Sequence, residues 1–435
     1  MERLFRSKTM VKSFFDKVRL VFLDEDLVRR LFFVVLILFL FRLGAHVPMP
    51  GVDLERLRFL LEGSTGQLLG ILNIFSGGGL SNLSIFMLGV SPYITASIVM
   101  QLGTIMIPRL KALYHEEGQA GRQKFNQYSR FLTVPLAAIQ GFGLLALLER
   151  QGVLEALTLP ERGISLVIII AGSILLMWMG ELLSEYGIGN GVSLIIFAGI
   201  VAGFPTTIGQ LSAAFTANLA PLYLLFVFLG LLVLYGVVAI TEAERPIPVT
   251  YAKQVRGSRV FGGASTYLPI RLNQSGVIPI IFALSILLFP QVIANFLAAS
   301  NHVTLLKIAT VITNATNNIF IYGSFYFFLV LIFTYFYTAV TFDPESIANN
   351  LQKSGAFIPG VRPGQSTALY LSGVVSRVTI VGALFLGTIA VLPFVMQAVT
   401  GNPSLAIGGT SLLIVVSVVI DLLKKLNAQV SMREY

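Results

Sequence analysis

Stretches free of Asp, Glu, Lys and Arg recur along the chain, and their lengths set what the elements are. A membrane-spanning helix needs about 20 mainly apolar residues. Residues 31–41 with their flanks form one such stretch, and residues 63–108 carry no charged side chain at all. Residues 131–148 and 163–180 predict one helix each. Residues 186–241 are uncharged throughout and contain Pro205 and Pro221, so they predict two helices broken at the prolines. Residues 272–290, 319–342, 370–392 and 405–420 complete a set of ten predicted spans.

The basic residues between these stretches give the direction of each span, because loops on the cytoplasmic side are enriched in Lys and Arg. With the N-terminus inside, 24 of the 30 Lys and Arg residues fall on cytoplasmic segments and 6 on outer ones. An odd error in the span count would scramble that asymmetry. The net charge of +9 is therefore read as a basic cytoplasmic surface facing anionic membrane lipids, not as a nucleic-acid footprint. Composition agrees: 55% of residues are hydrophobic and 12% charged, about half the charged share of a soluble domain. The reading is an all-α, polytopic membrane protein with both termini cytoplasmic.

With no cysteine, disulfides and thiolate metal sites are excluded, and His46, His115 and His302 lack ligand spacing. No metal or other cofactor is expected. No His, Asp and Ser constellation lies within the spans, so no catalytic residue is assigned and an enzyme is not expected. Two glycine patterns mimic nucleotide loops. Gly187-Ile-Gly-Asn-Gly191 has the wrong spacing and no parallel sheet around it. Gly141-Phe-Gly143 lies inside a span, where small residues serve close helix packing.

The window 63–108 is too long for one helix. Residues 66–75 predict a half-helix of about 15 Å, half the hydrocarbon thickness. It is followed by the run Gly77-Gly78-Gly79 and then by a helix over 82–101 interrupted at Pro92. A half-helix at membrane depth is tolerated only where protein or a water cavity surrounds it. This predicts a re-entrant element beside a pore or site, the alternative being an interfacial helix lying on the outer leaflet. Mid-span acids and bases, which mark solute or proton paths, are nearly missing. Arg377 is the main exception and lies near a cytoplasmic end, where its stem can snorkel.

Several motifs, in order along nearly the whole chain, resemble the SecY family, the channel-forming subunits of bacterial Sec protein translocases. They are Arg42-Leu-Gly-Ala-His-Val-Pro-Met-Pro-Gly51, Phe75-Ser-Gly-Gly-Gly-Leu80, Gly89-Val-Ser-Pro-Tyr-Ile-Thr-Ala-Ser-Ile98 and Gly187-Ile-Gly-Asn-Gly-Val-Ser193. Asn273-Gln-Ser-Gly-Val-Ile-Pro279, Lys353-Ser-Gly-Ala-Phe-Ile-Pro-Gly-Val-Arg-Pro-Gly364 and Gly408-Gly-Thr-Ser-Leu-Leu-Ile414 follow. The resemblance implies ten transmembrane helices in two inverted five-helix halves, residues 1–207 and 208–435, with a re-entrant plug helix. It implies a passage for unfolded preproteins across the bacterial inner (plasma) membrane and a sideways exit for signal peptides and nascent spans.

Carried onto this sequence, the family's pore ring falls on Val90, Ile94, Val192, Ile196, Ile281 and Ile414. Val90/Ile94 and Val192/Ile196 are four apart, so each pair shares a helix face. A ring of aliphatic tips excludes ions by dewetting and yields to a peptide without hydrogen-bonding it. Two of the six are valine where relatives commonly have isoleucine, which widens the ring slightly. The plug falls on Gly66, Leu69, Ile71, Ile74, Phe75, Gly77, Gly78 and Gly79, and the lateral gate on Thr95, Gln140 and Asn273. The loops 242–271 and 343–370 correspond to docking sites for the SecA motor ATPase and the ribosome, through Arg256, Arg259 and Arg362. SecE and SecG are the implied companion subunits. Tyr186, where many relatives have arginine, leaves the short loop 181–189 acidic, with Glu181 and Glu185 and no basic residue. The competing reading is a small-solute secondary transporter of inverted-repeat architecture, against which stand the bare mid-membrane and the large basic cytoplasmic loops.

Overall fold

The computed structural model describes residues 24–50, 78–80, 83–150, 152–154, 158–213, 220–251, 254–256, 259–261, 265–274, 276–298, 302–400 and 404–431. The helices are α1 Glu25–Gly44, α2 Ser91–Met106, α3 Pro108–His115, α4 Gly118–Arg150, α5 Leu159–Tyr186, α6 Gly191–Ala213, α7 Ala220–Glu242, α8 Ile278–Ala298, α9 Val303–Asn317, α10 Ile319–Thr341, α11 Pro344–Lys353, α12 Gln365–Thr400 and α13 Ser404–Ser431. Five strands join them: β1 Glu244–Tyr251, β2 Gln254–Arg256, β3 Arg259–Phe261, β4 Ser265–Arg271 and β5 Ala356–Phe357. Among the described residues, ten helices (α1, α2, α4 to α8, α10, α12 and α13) fall on the ten predicted spans, α12 carrying Arg377 within its window. Four stretches are long and apolar enough to cross a membrane unaided: Gly118–Glu149, Leu159–Tyr186, Ile319–Lys353 and Gln365–Ala398. Gly191–Thr206, Val227–Glu242 and Ile278–Leu287 are shorter apolar stretches.

Local chemistry sets the ends. Asp24 caps α1, its carboxylate accepting from the Asp26 and Leu27 amides at 3.0 and 3.3 Å. Asn318 caps α10 in the same way, accepting from Phe320 and Ile321. Ahead of α5, the Glu161 carboxylate accepts from both the amide and the hydroxyl of Thr158 at 2.8 Å. Pro205 was expected to break the chain, but α6 runs through it to Ala213; Pro221 instead stands in the first turn of α7, where its missing N–H costs nothing.

The structure forms two compact units. The first comprises residues up to 217, together with 288–317 and 414–435. Within it α4 and α5 pack antiparallel and are clasped at both ends. Arg162 forks onto Glu149 at 2.7–3.2 Å at one end, and Arg130 meets Glu181 at 2.8 Å at the other. Such partly exposed pairs are worth about 0–1 kcal/mol each, so they set register more than stability. Between them the helices approach through Gly141, where a Cβ would stand 3.2 Å from Ile169 and Leu166.

The helix expected over 82–101 begins only at Ser91. Residues 83–90 are a chain of turns, with Leu83 at φ 39°. Pro92 therefore opens the helix in its first turn instead of interrupting it. At the far end Pro108 imposes extended backbone on Ile107 (φ −116°, ψ 107°), and α3 leaves at 113° to α2. The turn segment is buried, and its backbone finds partners in protein. Met49 N–H donates to Leu83 C=O at 2.9 Å and Ile85 N–H to Val47 C=O at 3.1 Å, so residues 47–49 lie antiparallel along it. The Phe86 ring covers Gly44 and stacks on Phe41 at 6.1 Å. Leu80, Leu83, Met87 and Leu88 fill a core with Met49, Leu144, Leu145, Leu148 and Ile169.

The second unit comprises residues 218–287 and 318–413. Here strands from the 242–271 and 343–370 loops fold together, which the all-α reading did not foresee. The sheet order is β4-β1-β5, so residues from the 242–271 loop pair with residues from the 343–370 loop at Thr250–Phe357 and Tyr251–Ala356. Pro246 faces Pro269, a pairing that must be a non-hydrogen-bonded one because neither residue has an N–H to give. The alternate positions Ile247, Val249 and Ile270 point inward onto Leu371, Val374, Val375 and Val378 of α12. A short sheet thus rides on the N-terminal turns of a 36-residue helix.

Gly172 of α5 admits the turn segment: a Cβ there would lie 2.0 Å from the Ile85 carbonyl oxygen, a backbone atom that cannot step aside. Gly172→Ala is expected to lower the stability of the detergent-solubilised protein by about 3 kcal/mol, the upper range for overpacking. Thermal unfolding checks it; an unshifted transition would mean the segment is not wedged against α5.

Candidate functional site

Four of the six pore-ring positions are brought onto two helices. Val90 is the last residue before α2 and is fully buried; its carbonyl accepts the first helical bond, from Ile94 N–H at 3.0 Å. Ile94, one turn on, is also buried, so the pair occupies one face of α2. Val192 and Ile196 stand one turn apart at the start of α6, with Ile196 buried and Val192 half-buried. The Val192 methyl also lies 3.0 Å from where a Cβ of Gly180 would be, so this side chain packs against α5. Ile414 of α13 is buried in the same unit. Ile281, buried in the second unit, lies on the first turn of α8, where the Ser285 hydroxyl donates to its carbonyl.

The glycine motif ahead of Val192 has a structural cause for each part. Asn190 caps α6, its side-chain oxygen accepting from Val192 and Ser193 at 3.1 and 3.3 Å. Gly189 turns the chain at φ 101°, and Gly191 sits so close to α5 that a Cβ would be 2.0 Å from the Gly180 carbonyl oxygen. Ser184 accepts from the Gly191 amide at 2.8 Å and donates to the Gly180 carbonyl at 2.9 Å. The motif is a tight helix–turn–helix corner that aims Val192 and Ile196. Nothing in it resembles a phosphate cradle.

Of the lateral-gate candidates, Thr95 and Gln140 meet: the Gln140 amide donates to the Thr95 hydroxyl at 3.5 Å, bridging α2 and α4. Asn273 is buried in the second unit, just before α8. The plug positions Gly66, Leu69, Ile71, Ile74, Phe75 and Gly77 lie outside the described residues. Of the docking candidates, Arg256 and Arg259 are opposite one another in the β2–β3 hairpin. Arg362 is exposed on a turn between Gly360 (φ 83°) and Gly364 (φ 96°), held because the Thr367 hydroxyl donates to its carbonyl at 2.9 Å. Arg377 is exposed on α12.

The two described plug glycines differ in kind. Gly78 is there for its backbone: φ is 86°, and the nearest atom to an added Cβ is the flexible Arg42 guanidinium at 3.2 Å. Gly79 is there for space, since a Cβ would meet Ser84 Oγ at 2.8 Å and the Phe86 carbonyl oxygen at 2.9 Å. Its own carbonyl accepts from the Ser84 amide at 2.8 Å. Sequence alone could not separate three consecutive glycines; the buried Ser84 beyond them was the available signal.

The profile of the SecY family matches residues 84–423. The protein translocase subunit SecY of Thermus thermophilus is 43% identical over 438 residues, covering 98% of this chain and 97% of the relative. That of Streptomyces coelicolor is 41% identical over 431 residues, covering 95% and 97%. A solved protein-conducting channel, 18% identical, superposes with a TM-score of 0.61 over 91% of each chain.

Gly78→Ala is expected to cost about 1–2 kcal/mol through its left-handed backbone, and Gly79→Ala more, through steric conflict with fixed backbone. Parallel thermal unfolding of the two variants tests this. An equal or reversed order would show that residue 79 is as free as a hinge.

Proposed function

The chain belongs to the SecY family, and we infer that it forms the protein-conducting channel of a bacterial translocase, passing unfolded preproteins across the membrane and releasing apolar helices into lipid. The near-full-length identity to translocase subunits carries this reading. The small-solute carrier reading gains no support from those relatives. In the proposed channel the bacterial inner membrane holds ten spans with both termini cytoplasmic, arranged as two halves divided near residue 207. SecE and SecG accompany it, and SecA or the ribosome drives it.

The chemistry of the candidates suits those roles. Val90, Ile94, Val192, Ile196, Ile281 and Ile414 offer only hydrocarbon, so a constriction lined by them strips ions of water without replacing it. Residues 66–75 block the outer side at rest. Thr95 and Gln140, with Asn273, supply a weakly polar seam that can part for an apolar segment without stranding a charge. Arg256 and Arg259, in the β2–β3 hairpin, and Arg362, on a turn beside the β4-β1-β5 sheet, supply cations from two loops joined by that sheet for a motor or ribosome to meet. The guanidinium fork suits carboxylate or rRNA phosphate.

Two outcomes test this. Replacing Ile94 and Ile196 together by serine is expected to raise resting ion conductance several-fold by wetting the constriction. Single-channel recording in a planar bilayer reads it, and a silent double mutant would remove these residues from the seal. Arg362→Glu is expected to reduce ATP-driven precursor import into vesicles by about tenfold or more, while Arg362→Lys retains part of it, since a forked, charge-assisted contact is lost. Resting conductance stays unchanged in both. Normal import by the glutamate variant would leave Arg362 as a topology charge.

A further inference from the structure

Helix α9, Val303–Asn317, occupies what the charge pattern marks as an outer loop, and no span was predicted there. It follows α8, which ends at Ala298, and it passes into α10 through Asn318 alone, whose extended backbone (φ −78°, ψ 111°) breaks one helix and caps the next. Fifteen residues reach about 22 Å, too short to cross a hydrocarbon core of about 30 Å. Both ends are tethered by very short connectors to spanning helices, which end at the membrane surface. With both ends near that surface in this topology, a helix of this length can lie along it.

Its sides differ in the way such a position demands. Leu305, Ala309, Ile312 and Thr316 form the side turned to protein: Ala309 is buried, the other three are half-buried, and the Thr316 hydroxyl donates to Gln291 of α8 at 2.9 Å. Beside it runs a stripe at helical spacing, Thr304, Ile308, Val311 and Ala315, in which Ile308 is 49% and Val311 67% exposed. Beyond the stripe lie Lys307, Thr310 and Asn314, all exposed, a polar ridge that shares its side of the helix with Val303 (67% exposed) at the N-terminal turn and is bordered by Leu306 (39% exposed). Lys307 is the only charged residue of the helix.

We propose that α9 is an interfacial helix embedded in the outer leaflet, with the Thr304-Ile308-Val311-Ala315 stripe among the acyl chains and the Lys307-Thr310-Asn314 ridge at the headgroups. The occupant of the exposed apolar stripe is lipid. Apolar side chains sink about 5–10 Å into the headgroup–acyl boundary in such helices, while the cation stays at the phosphate level. The proposal rests on the topology of the channel reading, which puts this segment outside. It adds to that reading a floating anchor between the span that carries Ile281 and the span that follows it.

The chain has no cysteine, so single cysteines give unique labels. Ile308→Cys, Val311→Cys, Lys307→Cys and Asn314→Cys, all at exposed positions, would be coupled to an environment-sensitive fluorophore. Each full-length protein would be placed in phosphatidylethanolamine–phosphatidylglycerol vesicles containing lipid spin-labelled high on its acyl chain. Labels at 308 and 311 are expected to emit at shorter wavelength and be quenched at least about twofold more than labels at 307 and 314. Water-like emission at 308 and 311, or equal quenching at all four positions, would overturn the proposal. So would apolar emission without quenching, which would mean that protein covers the stripe. A membrane-impermeant thiol reagent applied to unlabelled Lys307→Cys and Asn314→Cys reads sidedness separately. Reaction from the outer face is expected, and reaction only from the cytoplasmic face would overturn the topology itself, and the outer-leaflet placement with it.

Discussion

A backbone that leaves helical form at membrane depth must satisfy its amides and carbonyls within the protein, because lipid offers no partner. Much of the first unit is organised around that demand at residues 83–90. The end of α1 continues into an extended strip whose Val47 and Met49 supply a carbonyl and an amide to the turns. Gly172 opens α5 so that the Ile85 carbonyl can come close, and Gly44 opens α1 for the Phe86 ring. Ser84, wholly buried, accepts from the Phe86 amide at 3.2 Å. These contacts place Val90 at the head of α2, and through α2 they place Ile94. The proposed constriction therefore depends on residues 40 or more positions away in sequence that line no pore.

The same economy of small residues works at the α5–α6 corner. Gly180 and Gly191 let two helices meet with backbone nearly in contact, and Asn190 and Ser184 satisfy the amides this exposes. Between helices in lipid there is no hydrophobic drive toward association, so close packing and hydrogen bonds hold them. The polar clasps Glu149–Arg162 and Arg130–Glu181 sit at the helix ends, where water can reach them. Inside, Thr95 and Gln140 form one of few polar bridges between helices among the described residues, at a length of 3.5 Å that marks a weak bond. A weak bond there suits the lateral gate proposed for these two residues.

Much of this was legible in sequence. Uncharged windows gave ten helices because lipid imposes length and apolarity on each one, a demand that composition alone can express. The fourfold excess of Lys and Arg on one side gave a direction. Glycine patterns told where chains come close, yet not which atoms they admit, so Gly78 and Gly79 read alike although one serves conformation and the other space. The sheet of the cytoplasmic loops was missed because it pairs residues about 100 positions apart, and its prolines at 246, 248 and 269 read as loop. The start of α2 was misplaced because residues 82–90 are apolar enough for helix, and tertiary partners overrode that preference.

The small sheet bears on how force would reach the membrane. Ile247, Val249 and Ile270 pack on the cytoplasmic turns of α12, and the same core takes in Ile358 and Val361 beside Arg362. A load applied at the turn carrying Arg362 therefore falls on a close-packed body, not on a slack loop, and interiors of this density transmit strain. That body continues without a break in helix into α12, whose 36 residues run from the cytoplasmic sheet through the expected ninth span. Gly382 of α12 would place a Cβ 2.6 Å from the Leu272 carbonyl oxygen, next to Asn273. In this unit the turn carrying Arg362 and the backbone beside Asn273 thus both rest on one helix, which is the arrangement the proposed coupling of docking to gating needs.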